Sequence, residues 1–189
     1  MPTWVWLVIA AVVLVAVIAV VVYGKTAGSK KRTQRLREHY GSEYDRALQE
    51  TGDARAAESA LLQREKRVKK LDIVTLSPQA CAMYTDHWHR VQKGFVDNPS
   101  GALGEADMLV NQVMRERGYP VDDFDERAAD IAVDHPDIVQ NYRAAHSIFA
   151  SQERGRVDTE RQREAFVHYR ALFDRLLANE TDTPKEARA

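Results

Sequence analysis

The chain has a single cysteine, Cys81, in 189 residues. One thiol cannot close an internal disulfide, so a disulfide-stapled scaffold is excluded, and a lone Cys suits a reducing compartment. Nine glycines and six prolines are too few for a collagen-like or Gly/Ser-rich chain. There is no Walker loop, dinucleotide fingerprint or Gly-x-Ser-x-Gly elbow, so the common signatures of nucleotide binding and serine hydrolysis are missing. Glu-x-x-His pairs, which a di-iron or di-manganese bundle places on two helices, do not occur either. Acidic and basic side chains nearly balance, 28 against 27. Long apolar runs are scarce: there is one, which excludes a polytopic transporter and argues against a wholly soluble enzyme.

That run covers residues 4–23, twenty consecutive uncharged and mostly apolar residues with nine valines. As a helix it would extend roughly 30 Å, the thickness of a bilayer's hydrocarbon core. Trp4 and Trp6 stand at one end and Tyr23 at the other, where amphipathic rings favour the membrane interface. The sequence therefore predicts a transmembrane helix over 4–23. A cleaved signal peptide is the competing reading, but no basic side chain precedes the run, and the run is longer than a signal peptide's apolar region. The only nearby small-x-small triplet is Ala27-Gly28-Ser29. No Lys or Arg lies before Trp4, whereas residues 24–38 carry six. The positive-inside rule then puts the N-terminus outside and the following domain in the cytoplasm, a single-pass protein of the cell membrane. Lys25, Lys30, Lys31 and Arg32 are the expected contacts to anionic headgroups. Residues 24–80 hold 13 basic and 8 acidic side chains, and residues 81–189 hold 14 and 20. That gradient suits a domain held beside an anionic leaflet.

Beyond a basic juxtamembrane segment at 24–41, punctuation predicts a helical domain over 42–178 and a disordered polar tail over 179–189. Gly52 and Asp53 separate a short helix from one expected over 54–71, with Ala57, Leu61, Val68 and Leu71 on one face. Ser77-Pro78 reads as an N-cap with Pro at the first helical position. Asn98-Pro99 opens the next helix, and Gly118 closes it with Pro120 just beyond. A short helix is expected over 124–133, another from Asp134 to about Glu153, and a last one to Leu177 opened by a Thr159/Gln162 capping box. The run Ile73-Val74-Thr75-Leu76 is the only β-favouring stretch, and one strand makes no sheet. Four apolar stripes recur at helical spacing: Tyr84, Trp88, Val91, Phe95; Leu103, Ala106, Val110, Val113, Met114; Ile138, Tyr142, Ala145, Phe149; and Phe166, Tyr169, Phe173, Leu176, Leu177. The expected fold is all-α, an N-terminal transmembrane helix followed by an antiparallel helical bundle.

Several segments carry a resemblance: Gly41-Ser42-Glu43-Tyr44-Asp45, Phe95-Val96-Asp97-Asn98-Pro99, Arg117-Gly118-Tyr119-Pro120, the run from His135-Pro136-Asp137 to Ala145-His146, and His168-Tyr169-Arg170-Ala171-Leu172-Phe173. Between about Arg35 and Leu177 the chain resembles an uncharacterised bacterial family of short membrane-anchored helical proteins, usually described as hypothetical, membrane or secreted proteins. The resemblance implies the architecture and no activity, cofactor or catalytic residue. The label "secreted" runs against the charge-based orientation.

Candidate chemistry is sparse. His87 and His89 flank Trp88, but on a helix they point about 200° apart, so His87 is expected partly buried and His89 solvated. The acidic series Asp122, Asp123, Asp125, Glu126, Asp130, Asp134 and Asp137 lacks the Gly and spaced Glu of a calcium loop and reads as a solvated, dipole-favoured helix start. Cys81 falls on an apolar side and reads as an inert core thiol. The basic stretch Arg64-Glu65-Lys66-Arg67-Val68-Lys69-Lys70 has no neighbouring aromatics, so no nucleic-acid partner is expected. One constellation remains. His87, Asp107 and His146 lie near the apolar faces of three helices, while His168 points away from its own. Two His and a carboxylate have the composition of a metal site, but hydrogen-bonded structural residues with tyrosine or backbone partners are the expected reading, with no cofactor. The function expected is a membrane-tethered, non-enzymatic interaction or scaffold module with an unknown protein partner. The alternative is a helical ligand- or metal-binding protein, or an enzyme, with its site inside the bundle.

Overall fold

The computed structural model describes residues 30–155 and 157–178. The run at 4–23, Lys25 and the tail at 179–189 lie outside them. The described residues are all-helical, with eight helices and no strand. None of these helices is long and apolar enough to cross a membrane.

The chain divides into two compact units, and the division falls within one helix, after Ser59. The first unit, over residues 30–59, holds α1 (residues 30–40), α2 (Ser42–Thr51) and the start of α3 (Ala54–Val68). Gly41 turns the chain between α1 and α2 at φ 50°, and Gly52 ends α2 at φ 70°. Asp53 then accepts the Ala56 amide proton at 2.9 Å, satisfying a donor that the helix start leaves free. Leu36, Tyr40, Tyr44, Ala47 and Ala57 are buried.

The second unit, from residue 60, holds the rest of α3, then α4 (Pro78–Gly94), α5 (Pro99–Glu116), α6 (Phe124–Asp134), α7 (Val139–Arg154) and α8 (Thr159–Leu177). Here α8 packs along both α5 and α7, α4 along α5, and α6 along α7, making a helical bundle. The expected stripes supply its core. Trp88 stacks on Phe173 at 4.7 Å and tilts against Phe166 at 5.0 Å. Leu103, Ala106, Val110, Val113 and Met114 are all buried. The Ser77 cap forms as read, accepting from Ala80, and Asn98, at the expected turn, caps α5 by accepting from Gly101.

Several boundaries differ from expectation. The first turn of α8 is capped by Asp158, which accepts from Arg161 at 3.0 Å, so Thr159 is already helical. An Asp one residue earlier is the better cap, since its ionised carboxylate also favours the positive end of the helix. Gln162 donates to Gln152 of α7 instead. The helix α3 stops at Val68, short of Leu71. Residues 136–138 form a turn, so α7 starts later than the Asp134-His135-Pro136 signal implied. Residues 72–76 form no strand. They run as a strap whose Val74 amide donates to the Arg117 carbonyl at 2.9 Å.

Candidate functional site

The basic headgroup candidates lie at the start of the first unit. Lys30 and Lys31 are exposed on α1. Arg32 is not free as expected: its guanidinium pairs with Glu58 at 2.7 Å, with the Glu58 side chain almost wholly buried, and Thr33 donates to the same carboxylate. An arginine that neutralises a buried carboxylate is held by it, which sequence spacing of 26 residues did not reveal. Lys25 lies outside the described residues.

In the second unit, no group of three or more His, Cys, Asp or Glu side chains among the described residues is placed to hold a metal ion. His87, Asp107 and His146 therefore do not come together as one ligand set. His87 is half-buried and His89 exposed on α4. Asp107 and His146 do reach a common region, where they join residues the sequence reading passed over. Tyr169 of α8 donates to Asp107 Oδ1 at 2.6 Å, and Asn111 donates to Oδ2 at 2.9 Å. Arg127 of α6, 6% exposed, donates to the Tyr142 hydroxyl at 2.6 Å and to the Val121 carbonyl. The Tyr142 and Tyr169 rings meet edge-on at 6.5 Å. His146 lies flat on Phe124, with centroids 3.7 Å apart.

The electrostatics of this network are those of a structural core. Burial pushes the Tyr142 hydroxyl up to about 12, against the lowering effect of Arg127. Burial and then Asp107 raise Tyr169 further. Both phenols stay neutral near pH 7, so they solvate the Arg127 and Asp107 charges without exchanging protons with them. Burial holds the His146 imidazole below its usual range, with Asp107 opposing and Arg127 adding to the effect. Asp107 thus has the tyrosine partner expected of it, while His146 Nδ1 is buried without one. Replacing Tyr169 with Phe should cost about 1.5 kcal/mol, the value of a hydrogen bond to a charged group. Denaturant titration checks this, and a loss below about 0.5 kcal/mol would mean that Asn111 alone satisfies the carboxylate.

A second polar cluster gathers at the end of α5. Arg117, 4% exposed, donates to the Leu176 carbonyl of α8 at 2.8 Å and to the Val74 carbonyl of the strap at 3.3 Å. It also lies over the Tyr119 ring. Tyr119 donates to Asp134 at 3.1 Å. The sequence held one hint of this hub, an arginine set directly before a helix-ending glycine.

Other candidates resolve individually. Cys81 is half-buried against the core, its thiol 3.8 Å from the Leu177 carbonyl. His168, expected in solvent, is partly covered and sits 2.9 Å from Asn141 Oδ1. The acidic series splits. Asp123 caps α6 by accepting from Glu126, as a helix start should, but Asp130 is wholly buried and held by Arg67. The same arginine pairs with Glu126, which draws one charge out of the basic 64–70 stretch. Set against family models, curated proteins and solved structures, the chain matches none.

Proposed function

We propose that this protein is a single-span, membrane-tethered helical module without catalytic activity, whose domain lies on the cytoplasmic face and offers a surface to a protein partner. One observation carries the reading: the uncharged run at 4–23 is followed at once by six basic residues within 24–38. The exposure of Lys30 and Lys31 on α1 supports it, because those ammonium groups remain available to anionic headgroups. Arg32, tied to Glu58, contributes less. Kinship with the short membrane-anchored bacterial proteins that the sequence resembles belongs to the same proposal.

Each basic side chain near an anionic surface is worth about 1 kcal/mol, screened by salt. A peptide of residues 24–40 is expected to bind phosphatidylserine-containing vesicles, to release them at high salt, and to lose roughly fivefold in affinity for each of Lys30→Gln and Lys31→Gln. Equal binding to neutral phosphatidylcholine vesicles would sink the headgroup contact. A C-terminal reporter on the full chain that works only outside the cytoplasm would sink the orientation.

A further inference from the structure

His135 sits in the junction between α6 and α7. It is 9% exposed, and both ring nitrogens are buried without a hydrogen-bond partner. The ring has little freedom to leave. Its own amide donates to the Ile131 carbonyl at 2.7 Å, closing α6, and its carbonyl accepts from Ile138 and Val139 at 3.2 and 3.3 Å, opening α7. Pro136 follows directly and stiffens the backbone further. The backbone at the junction is thus fixed, and at 9% exposure the imidazole reaches water only if the residues packed over it move.

The charges whose field reaches the ring are Arg117 at the end of α5, Arg175 of α8, Asp134 of α6 and Asp137 of the connection. The two carboxylates are already engaged, Asp134 by the Tyr119 hydroxyl and Asp137 by Arg175 at 3.8 Å. The Arg175 Nε is itself buried without a partner. A proton on His135 would add a third cation to the field of two guanidiniums, one of which, Arg117, holds the last turn of α8 through the Leu176 carbonyl.

We propose that His135 is a proton-operated latch: neutral, it lets the α6–α7 junction and the last turn of α8 stay closed around Arg117, and protonated, it releases both. Burial, then Arg117 and then Arg175, hold the imidazole below its usual range against Asp134 and Asp137. The sign follows from linkage. The released form binds the proton with an ordinary imidazole's affinity, near 6.5, and the closed form binds it more weakly, so closure is complete above about pH 6.5 and is lost as the pH falls below that. The inference does not depend on the membrane reading.

Hydrogen exchange of the full chain in detergent micelles, with rates corrected for the intrinsic effect of pH, tests it. Amides of residues 135, 137–139 and 172–177 should exchange at least about tenfold faster at pH 5 than at pH 7.5, while α4 and the middle of α5 keep their protection. His135→Phe should abolish the difference, and His146→Gln should leave it in place. Equal corrected protection at both pH values in the wild type would overturn the proposal, as would a His135→Phe chain that keeps the full acid effect. Should His135→Phe fail to fold, the wild-type His135 resonance decides: its titration must move together with the Val139 and Leu176 amides, and independent titration rejects the latch.

Discussion

Gly118→Ala is expected to lower the stability of the second unit by about 4 kcal/mol. Two independent penalties combine there. The residue has φ 93°, and it ends α5 in a Schellman arrangement: its amide donates to Arg115 and the Tyr119 amide donates to Met114, both at 3.0 Å. A side chain in this left-handed conformation costs about 1–2 kcal/mol. The strap then adds a steric term. A Cβ on Gly118 would press into the Asp72 carbonyl oxygen and stand 3.2 Å from the Asp72 carbonyl carbon and 3.6 Å from the Ile73 Cα. Those are backbone atoms and cannot rotate aside, so the clash costs a further 1–3 kcal/mol or so. Gly52→Ala is the control. It shares the positive φ, at 70°, but a Cβ there meets nothing within 4 Å, so only about 1 kcal/mol should be lost. Denaturant unfolding, read on the transition each substitution shifts, separates the two. Equal losses would show that the strap does not press on Gly118.

Arg67→Ala should lose about 2 kcal/mol at neutral pH and progressively less toward pH 4. Asp130 is 0% exposed and Arg67 is 40% exposed. Arg67 Nε donates to Asp130 Oδ1 at 2.9 Å, and Oδ2 is buried without a partner. Removing one member of a buried pair costs about 3–5 kcal/mol when the survivor is sealed from water. The smaller figure is expected because water reaches the exposed arginine and screens the interaction. Burial already raises the Asp130 carboxyl above its usual range, with Arg67 opposing. Losing Arg67 raises it further. A folded-state carboxyl held above its unfolded value weakens the fold as the pH rises through that value, so the deficit must grow from acid to neutral. The double variant Arg67→Ala/Asp130→Asn should recover more than half of the stability, since no buried charge is left. A double variant no better than the single one would mean that Arg67 acts through packing of its stem alone.

Helix existence in this protein was legible from local chemistry. The apolar stripes at Tyr84, Trp88 and Val91, or at Phe166, Tyr169 and Phe173, recur at the helical period, and Ser77-Pro78, Asn98-Pro99 and Gly118-Tyr119-Pro120 mark helix ends through bonds made within a few residues. Such signals need no knowledge of the rest of the fold. The cap of α8 lies one residue earlier than the Thr159/Gln162 pattern implies, because Asp158 caps as well as Thr159 does and adds a carboxylate at the positive end of the helix.

The sequence by itself also determined where charge and apolarity concentrate: an uncharged stretch at 4–23, a basic segment after it and an acidic distal part. It did not determine which charges are free. Arg32 is committed to Glu58, 26 positions away, and Arg67 to Asp130, 63 positions away. Asp130, read as solvated, is buried, and His168, read the same way, lies partly covered beside Asn141. Asp107 and His146 do share a region, but in the company of Arg127, Tyr142 and Tyr169 and without His87. Arg117 gathers the strap and the end of α8, and His135 lies sealed beside it. Helical periodicity states which way a side chain points around its own axis. Whether that direction meets water, a carboxylate or another helix is decided by packing between elements distant in the chain, and only the tertiary structure carries that information.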